Sequence, residues 1–265
     1  MRLALGIFLQ RPRRDLHRRH FLWPILRHFT RRGHRVFRTA AGGAPPQSLD
    51  AGLLHVDATQ VPPEVLARIP AGLPVLNAAV LDISKRRISE LLVEPHDGWR
   101  GPVIVKTNAN MQGLPDARRT RRSRATWPPY TVFETKHAVP AEVWSDPEWV
   151  VERFLPEQDG DDYLLRKWVF LGNRSLFLID RSADRIVKAG RGGQAVVAIP
   201  VPEALAARRR ELGFDYGKFD YVHAGGRAVL LDANSTPGFS KPSARVNEYA
   251  ALLADGLVEW ISRRA

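Results

Sequence analysis

The chain has no cysteine. Disulfides, thiolate metal sites and cysteine nucleophiles are excluded, and the composition fits a cytosolic protein. No apolar run approaches the roughly 18–20 residues that a membrane-crossing helix needs. Residues 3–9, LALGIFL, are too few and lack a small-residue cleavage pattern, so they read as a buried strand rather than an export signal. Acids are scarce beside bases, 28 Asp and Glu against 40 Lys and Arg, for a net charge of +12. The imbalance is local. Residues 1–38 hold eleven arginines and one acid, Asp15, and Arg118, Arg119, Arg121, Arg122 and Arg124 crowd one loop. Such charge attracts nucleotides, acidic substrates, RNA or an anionic membrane surface. These arginines lack the interleaved aromatics that stack bases, so nucleic acid ranks below small anions as a partner. The eight histidines show no metal-ligand spacing, and neither they nor the serines form a triad pattern. No side-chain nucleophile stands out.

What is present is 265 residues, enough for two or three lobes sharing a core. Up to residue 80, strand-like runs (3–9, 35–38, 53–56, 73–77) alternate with helical ones (23–32, 63–68), the pattern of a parallel α/β layer. Residues 82–93 read as a short amphipathic helix, 101–106 as a buried strand, and 107–129 as a long polar loop. Strands follow at 130–135 and 149–154, then a hairpin of 163–171 and 175–181 around Gly172-Asn173. Helices are expected at 202–212 and 247–262, the latter and the N-terminal helix being candidate homodimer interfaces.

The most informative stretch is 213–238, GFDYGKFDYVHAGGRAVLLDANSTPG. It reads as two strands around Gly225-Gly226. Asp232 and Asn234 share a face because alternate strand residues point the same way. Asp220 joins them only if it pairs directly with Asp232. That requires an odd number of loop residues, such as a three-residue turn closed by a glycine bulge. Two carboxylates and an amide oxygen then converge as an all-oxygen site for a hard cation, of the kind Mg2+ takes beside phosphates.

This hairpin resembles the metal-binding end of the ATP-grasp family, with its acid on one strand, acid-x-Asn on the next, and Pro237-Gly238 behind. The resemblance spans most of 74–238 and is nearest to D-alanine–D-alanine ligases and ribosomal-protein glutamate ligases. It implies an α/β (α+β) ATP-grasp fold: an N-terminal parallel lobe (1–80), a central lobe (81–152) and a C-terminal lobe (153–265), with ATP between antiparallel sheets. By the same resemblance Lys106, and Lys85 or its neighbour Arg86, meet the nucleotide phosphates. Glu152 takes the adenine amino group, the backbone near Leu155 bonds the purine ring, which apolar side chains sandwich, Phe154 is a further nucleotide-binding candidate, and Asp159 takes the ribose hydroxyls. Lys218 stands where related ligases carry an arginine near the transferring phosphate. Arg166, Arg181, Lys188 and Arg191 are further candidates facing the cleft. Asp220, Asp232 and Asn234 would hold Mg2+, or Mn2+ in its place.

The implied activity is ATP-dependent amide or peptide bond formation from a small-molecule or peptide carboxylate and an amine, through an acyl phosphate. The alternatives are a grasp-fold kinase and a non-catalytic nucleotide- or anion-binding protein. One departure stands out. The family's phosphate-covering loop is rich in glycine, whereas residues 107–129 contain only Gly113.

Overall fold

The computed structural model describes residues 2–39, 48–113, 128–188, 194–239 and 243–264, with only the backbone of 194–197. Strand β1 (Ala4–Phe8) is buried throughout, as its unbroken apolar run requires. Strands β2 (Arg35–Thr39) and β3 (Ala51–Leu54) flank it in parallel, and β4 (Val75–Leu76) extends the sheet beyond β3. Between them run the single-turn α1 (Pro12–Asp15), α2 (Leu22–Arg31) and the single-turn α3 (Pro63–Leu66). Helix α2 buries Leu22, Ile25, Leu26 and Phe29, one stripe at helical spacing.

The expected helix over 82–93 is a single turn, α4 (Lys85–Ile88). Beyond it the chain turns extended because a sheet edge claims its backbone. Val93 N–H donates to Val151 O, Arg153 N–H donates to Leu91 O, and Leu92 bridges Glu152. That edge is β7 (Trp149–Arg153) of a small antiparallel sheet, in which β5 (Val103–Thr107) lies between β7 and β6 (Thr131–Phe133). A short helix not anticipated from sequence, α5 (Ala141–Ser145), contributes Val143 to the core beneath this sheet.

The third sheet has the order β11-β10-β9-β12-β13, with β8 (Glu157–Asp159) also pairing β9. Its members are β9 (Asp162–Leu171), β10 (Arg174–Ser182), β11 (Gln194–Val197), β12 (Tyr216–Ala224) and β13 (Arg227–Asn234). Helix α6 (Glu203–Leu212) precedes β12, and the long α7 (Ala244–Ser262) closes the chain. Helix α7 starts three residues earlier than expected because Ser243 caps it, accepting the Val246 N–H at 3.1 Å. It packs with α2 and the ends of β9 and β10 into one core containing Leu5, Phe29, Leu171, Leu253 and Leu257. At Gly256 the fit is so close that a methyl group would strike the carbonyl of Leu171. The parallel layer is thereby fastened to the third sheet.

The β12–β13 hairpin differs from expectation in one respect. Asp220 and Asp232 do pair directly, but the odd residue is not in the turn. Gly225 and Gly226 form a two-residue turn, both at positive φ (57° and 76°), as a type I′ connection demands. Leu231 is the extra residue, a bulge between the Tyr221–Leu230 and Asp220–Asp232 pairs.

Candidate functional site

A cavity of about 350 Å³ lies where the β5–β7 sheet meets the third sheet, a volume suited to a small-molecule ligand. Its apolar wall includes Phe154, Leu155, Val222 and the bulged Leu231; its polar wall includes Lys85, Lys106, Tyr130, Asp220 and Asp232. Lys188 lines it too.

The polar wall is built from ion pairs. Lys106 on β5 bonds Glu152 on β7 at 2.5 Å. Lys85, the first residue of α4, bonds Asp232 at 2.6 Å. Lys218 bonds Asp220 at 2.8 Å, and one strand further Lys167 bonds Asp180. Four lysines thus face four carboxylates, and Arg153, Arg185 and Lys188 on the cavity lining add positive charge to these pairs. Burial pushes the Asp232 carboxyl up, but Lys85, Lys218 and Lys106 outweigh it and hold the group below the usual carboxylate range. Burial likewise disfavours charge on Lys85 and Lys218, and their acid partners reverse the balance, raising both. Burial, then the carboxylate of Asp232, raises the Tyr130 phenol, which stays neutral.

Of the two alternatives at the start of α4, Lys85 lines the cavity, whereas the Arg86 guanidinium donates to Trp149 O at 2.9 Å. Glu152, expected at an adenine amine, is fully buried behind Lys106 rather than on the cavity wall, and its Oε1 has no hydrogen-bond partner.

Three antiparallel and parallel layers in this order, with a two-walled cavity between the antiparallel pair, match known structures over nearly the whole chain. A RimK-domain ATP-grasp protein from Sphaerobacter thermophilus superposes with TM-score 0.53 at 19% identity, covering 96% of this chain and 99% of its own. D-alanine–D-alanine ligase from Bacillus anthracis, solved with ATP, gives 0.52 at 13% identity, covering 98% of each chain. The ATP-grasp ligase PsnB, solved with minimal precursor, Mg and ADP, gives 0.56 at 13% identity, covering 97% of each. The chain has the ATP-grasp fold. No protein-family model and no curated protein matches it in sequence.

Arg166 and Arg181 do not face the cleft. On β9 and β10 they alternate with Lys167 and Asp180, so they lie on the opposite side of the sheet. Arg166 instead bonds Glu157 through both Nε and Nη2, at 2.9 and 2.5 Å, and Arg181 bonds the exposed Asp159 at 2.7 Å. Asp159 is thus drawn to Arg181 and is not on the cavity wall. The residues that sequence reasoning missed are Lys167 and Asp180, one position away on each strand, and Tyr130. Both sides of these strands carry apolar residues, Trp168 and Phe170 on one and Val169 and Leu171 on the other, so alternation separates Lys167 from Arg166 without saying which side meets the cavity. Arg191 and the loop arginines Arg118, Arg119, Arg121, Arg122 and Arg124 lie outside the described residues.

Among the described residues no three His, Cys, Asp or Glu converge as a metal site. The hairpin nevertheless fits a divalent cation. Asp220 Oδ1 is buried without a hydrogen-bond partner, directly opposite Asp232. An acceptor left bare in this way suits a cation that brings its remaining oxygens from phosphate and water. Asn234 fits less directly, since its Oδ1 already accepts the Thr236 N–H at 2.8 Å.

Proposed function

We propose that the protein is an ATP- and Mg2+-dependent carboxylate–amine ligase, releasing ADP and forming an amide or peptide bond. The observation that carries this reading is the cavity itself: an apolar wall at Phe154, Leu155 and Val222, and a polar lining of three lysines, two arginines and two carboxylates. A purine suits the first and a triphosphate the second. Asp220 and Asp232 would hold the divalent cation, whose charge would offset repulsion between the phosphates and an incoming carboxylate. Two like unit charges 4 Å apart repel by about 4 kcal/mol at an effective dielectric near 20, so neutralising them matters.

In the reaction so read, a substrate carboxylate oxygen bonds the γ-phosphorus of ATP as the bond to the β-phosphate oxygen breaks and ADP departs. The amine nitrogen then bonds the acyl carbon, phosphate leaves, and the amine surrenders a proton. Lys85 and Lys106 exchange carboxylate partners for phosphate oxygens; Lys218 lies beside the transferring group. The chain does this by orientation and charge, without a covalent enzyme intermediate. Three lobes, 1–80, 81–152 and 153–265, belong to the same reading, with small-molecule or peptide substrates and a cytoplasmic ATP supply.

The test is product analysis. Purified protein with ATP, Mg2+ and a panel of amino acids and peptides should release ADP, and hydroxylamine should trap the activated acyl group as hydroxamate. ADP release that requires an alcohol acceptor and gives a phosphate ester would make it a kinase. No nucleotide turnover with any pair would leave a binding protein and end the ligase reading.

A further inference from the structure

Tyr130 is an outlier that backbone chemistry does not explain. Its φ is +66°, one of three positive values at non-glycine residues among those described. Asparagine tolerates this region, and Asn77, another of the three, is further fixed by bonds to Tyr216 O and Asp215 N. A tyrosine has no such excuse. Glycine would meet the backbone requirement without strain, so the side chain must contribute something that glycine cannot. The conformation is firmly held: Pro128 and Pro129 precede it, and the Tyr130 N–H donates to Val105 O at 2.8 Å.

Held there, the ring lines the cavity beside Lys85, Asp220 and Asp232. Among the cavity's cations, Lys85 and Lys106 are bonded to carboxylates, and Arg153, Arg185 and Lys188 also line it. The phenol has no hydrogen-bond partner among the described residues. It is a neutral donor on the polar wall that carries Asp220 and Asp232, where it offers an anionic oxygen a hydrogen bond without adding charge.

We propose that Tyr130 is a substrate-binding residue whose hydroxyl donates a hydrogen bond to an oxygen of the terminal phosphate of bound nucleotide. This rests on the nucleotide reading above. Sharing the wall with Lys85, Asp220 and Asp232, it would distinguish a triphosphate from a diphosphate.

The test is calorimetric titration of wild type, Tyr130→Phe and Tyr130→Gly with Mg2+ and either ADP or the β,γ-imido analogue of ATP. Phenylalanine removes only the hydroxyl; a hydrogen bond to a charged oxygen is worth about a tenfold change in Kd. The expected result is that Phe weakens the triphosphate analogue about tenfold and ADP less than twofold, with Tm unchanged. Glycine should weaken the analogue at least as much while Tm holds or rises, because the strained backbone relaxes. Equal weakening of ADP and the analogue by Phe would overturn the terminal-phosphate assignment. Less than twofold change in both would overturn the role of Tyr130 while leaving the nucleotide reading intact. A wild type that binds neither nucleotide would overturn that reading, and this inference with it.

Discussion

On β9, Trp168 and Phe170 point to one side of the third sheet and Lys167 to the other; on β12, Phe219 and Tyr221 oppose Lys218 and Asp220. The aromatic side is packed ring on ring. Phe170, Phe214 and Phe219 meet edge-on at centroid distances of 5.2 to 6.3 Å, with α6 closing over them through Leu205 and Leu212. The charged side holds alternating lysines and carboxylates. The strands are common to both, so backbone register is shared, and a change that shifts one side by a residue exchanges the two. The charged side depends on the aromatic one: ring packing sets the strands, and the strands hold the charges in place.

The sharpest way to break this comparison is from the folding side. Phe219→Ala should cost about 3–5 kcal/mol of stability, read by urea unfolding, while nucleotide affinity of the folded fraction stays the same. If affinity falls as well, the two faces are not separable. From the binding side, Asp232→Asn should lower ATP consumption roughly 10²–10³-fold with the circular dichroism spectrum retained. Full turnover in that variant would remove the hairpin from the mechanism.

Alternation itself can be tested with neighbours. Lys167→Met leaves the buried Asp180 without its lysine and should cost about 3 kcal/mol, whereas Arg166→Met one residue away should cost about 1 kcal/mol and leave nucleotide affinity unchanged. Adding Asp180→Leu to Lys167→Met should recover much of the loss. Equal costs for the two single variants would contradict the facing described here.

The smallest effect lies off both faces, at Asp97 near the small sheet. A hydrogen bond from Lys136 is the main cause that lowers its carboxyl from 3.8 to about 2. A depressed acid stabilises the fold above its unfolded pKa and loses that contribution as pH falls through the folded value. The Tm difference between wild type and Asp97→Ala should therefore be small and constant above about pH 4 and shrink towards pH 2. A difference that grows on acidification would reverse the assignment.

Much of the fold was legible because it rests on local pattern. Strand β1, helix α2 and the β9–β10 and β12–β13 hairpins each carry their apolar period or turn glycines in sequence. The helix expected over 82–93 failed because Leu91–Val93 satisfy their backbone on β7, a partner some 60 residues away that no local pattern shows. In the site, Lys85, Lys106, Asp220 and Asp232 were read from sequence and do meet at one cavity. Arg166 and Arg181 were assigned by charge alone, and charge does not say which side of a strand a residue takes. Asn234 was grouped by alternation, yet a nearer backbone N–H, that of Thr236, engages its oxygen first. Tyr130 carried no motif; only its backbone angle and its neighbours single it out.

The bulge at Leu231 has a consequence for how this hairpin tolerates change. Eleven residues, 221–231, separate the two acids, and with a two-residue turn one of them must go unmatched for the acids to stand opposed. That residue is Leu231. Deleting it would straighten the strand and leave Asp220 and Asp232 still opposed, and an extra residue at Gly225-Gly226 would only lengthen the tip. What the bulge alone supplies is one more apolar side chain, that of Leu231, on the cavity wall.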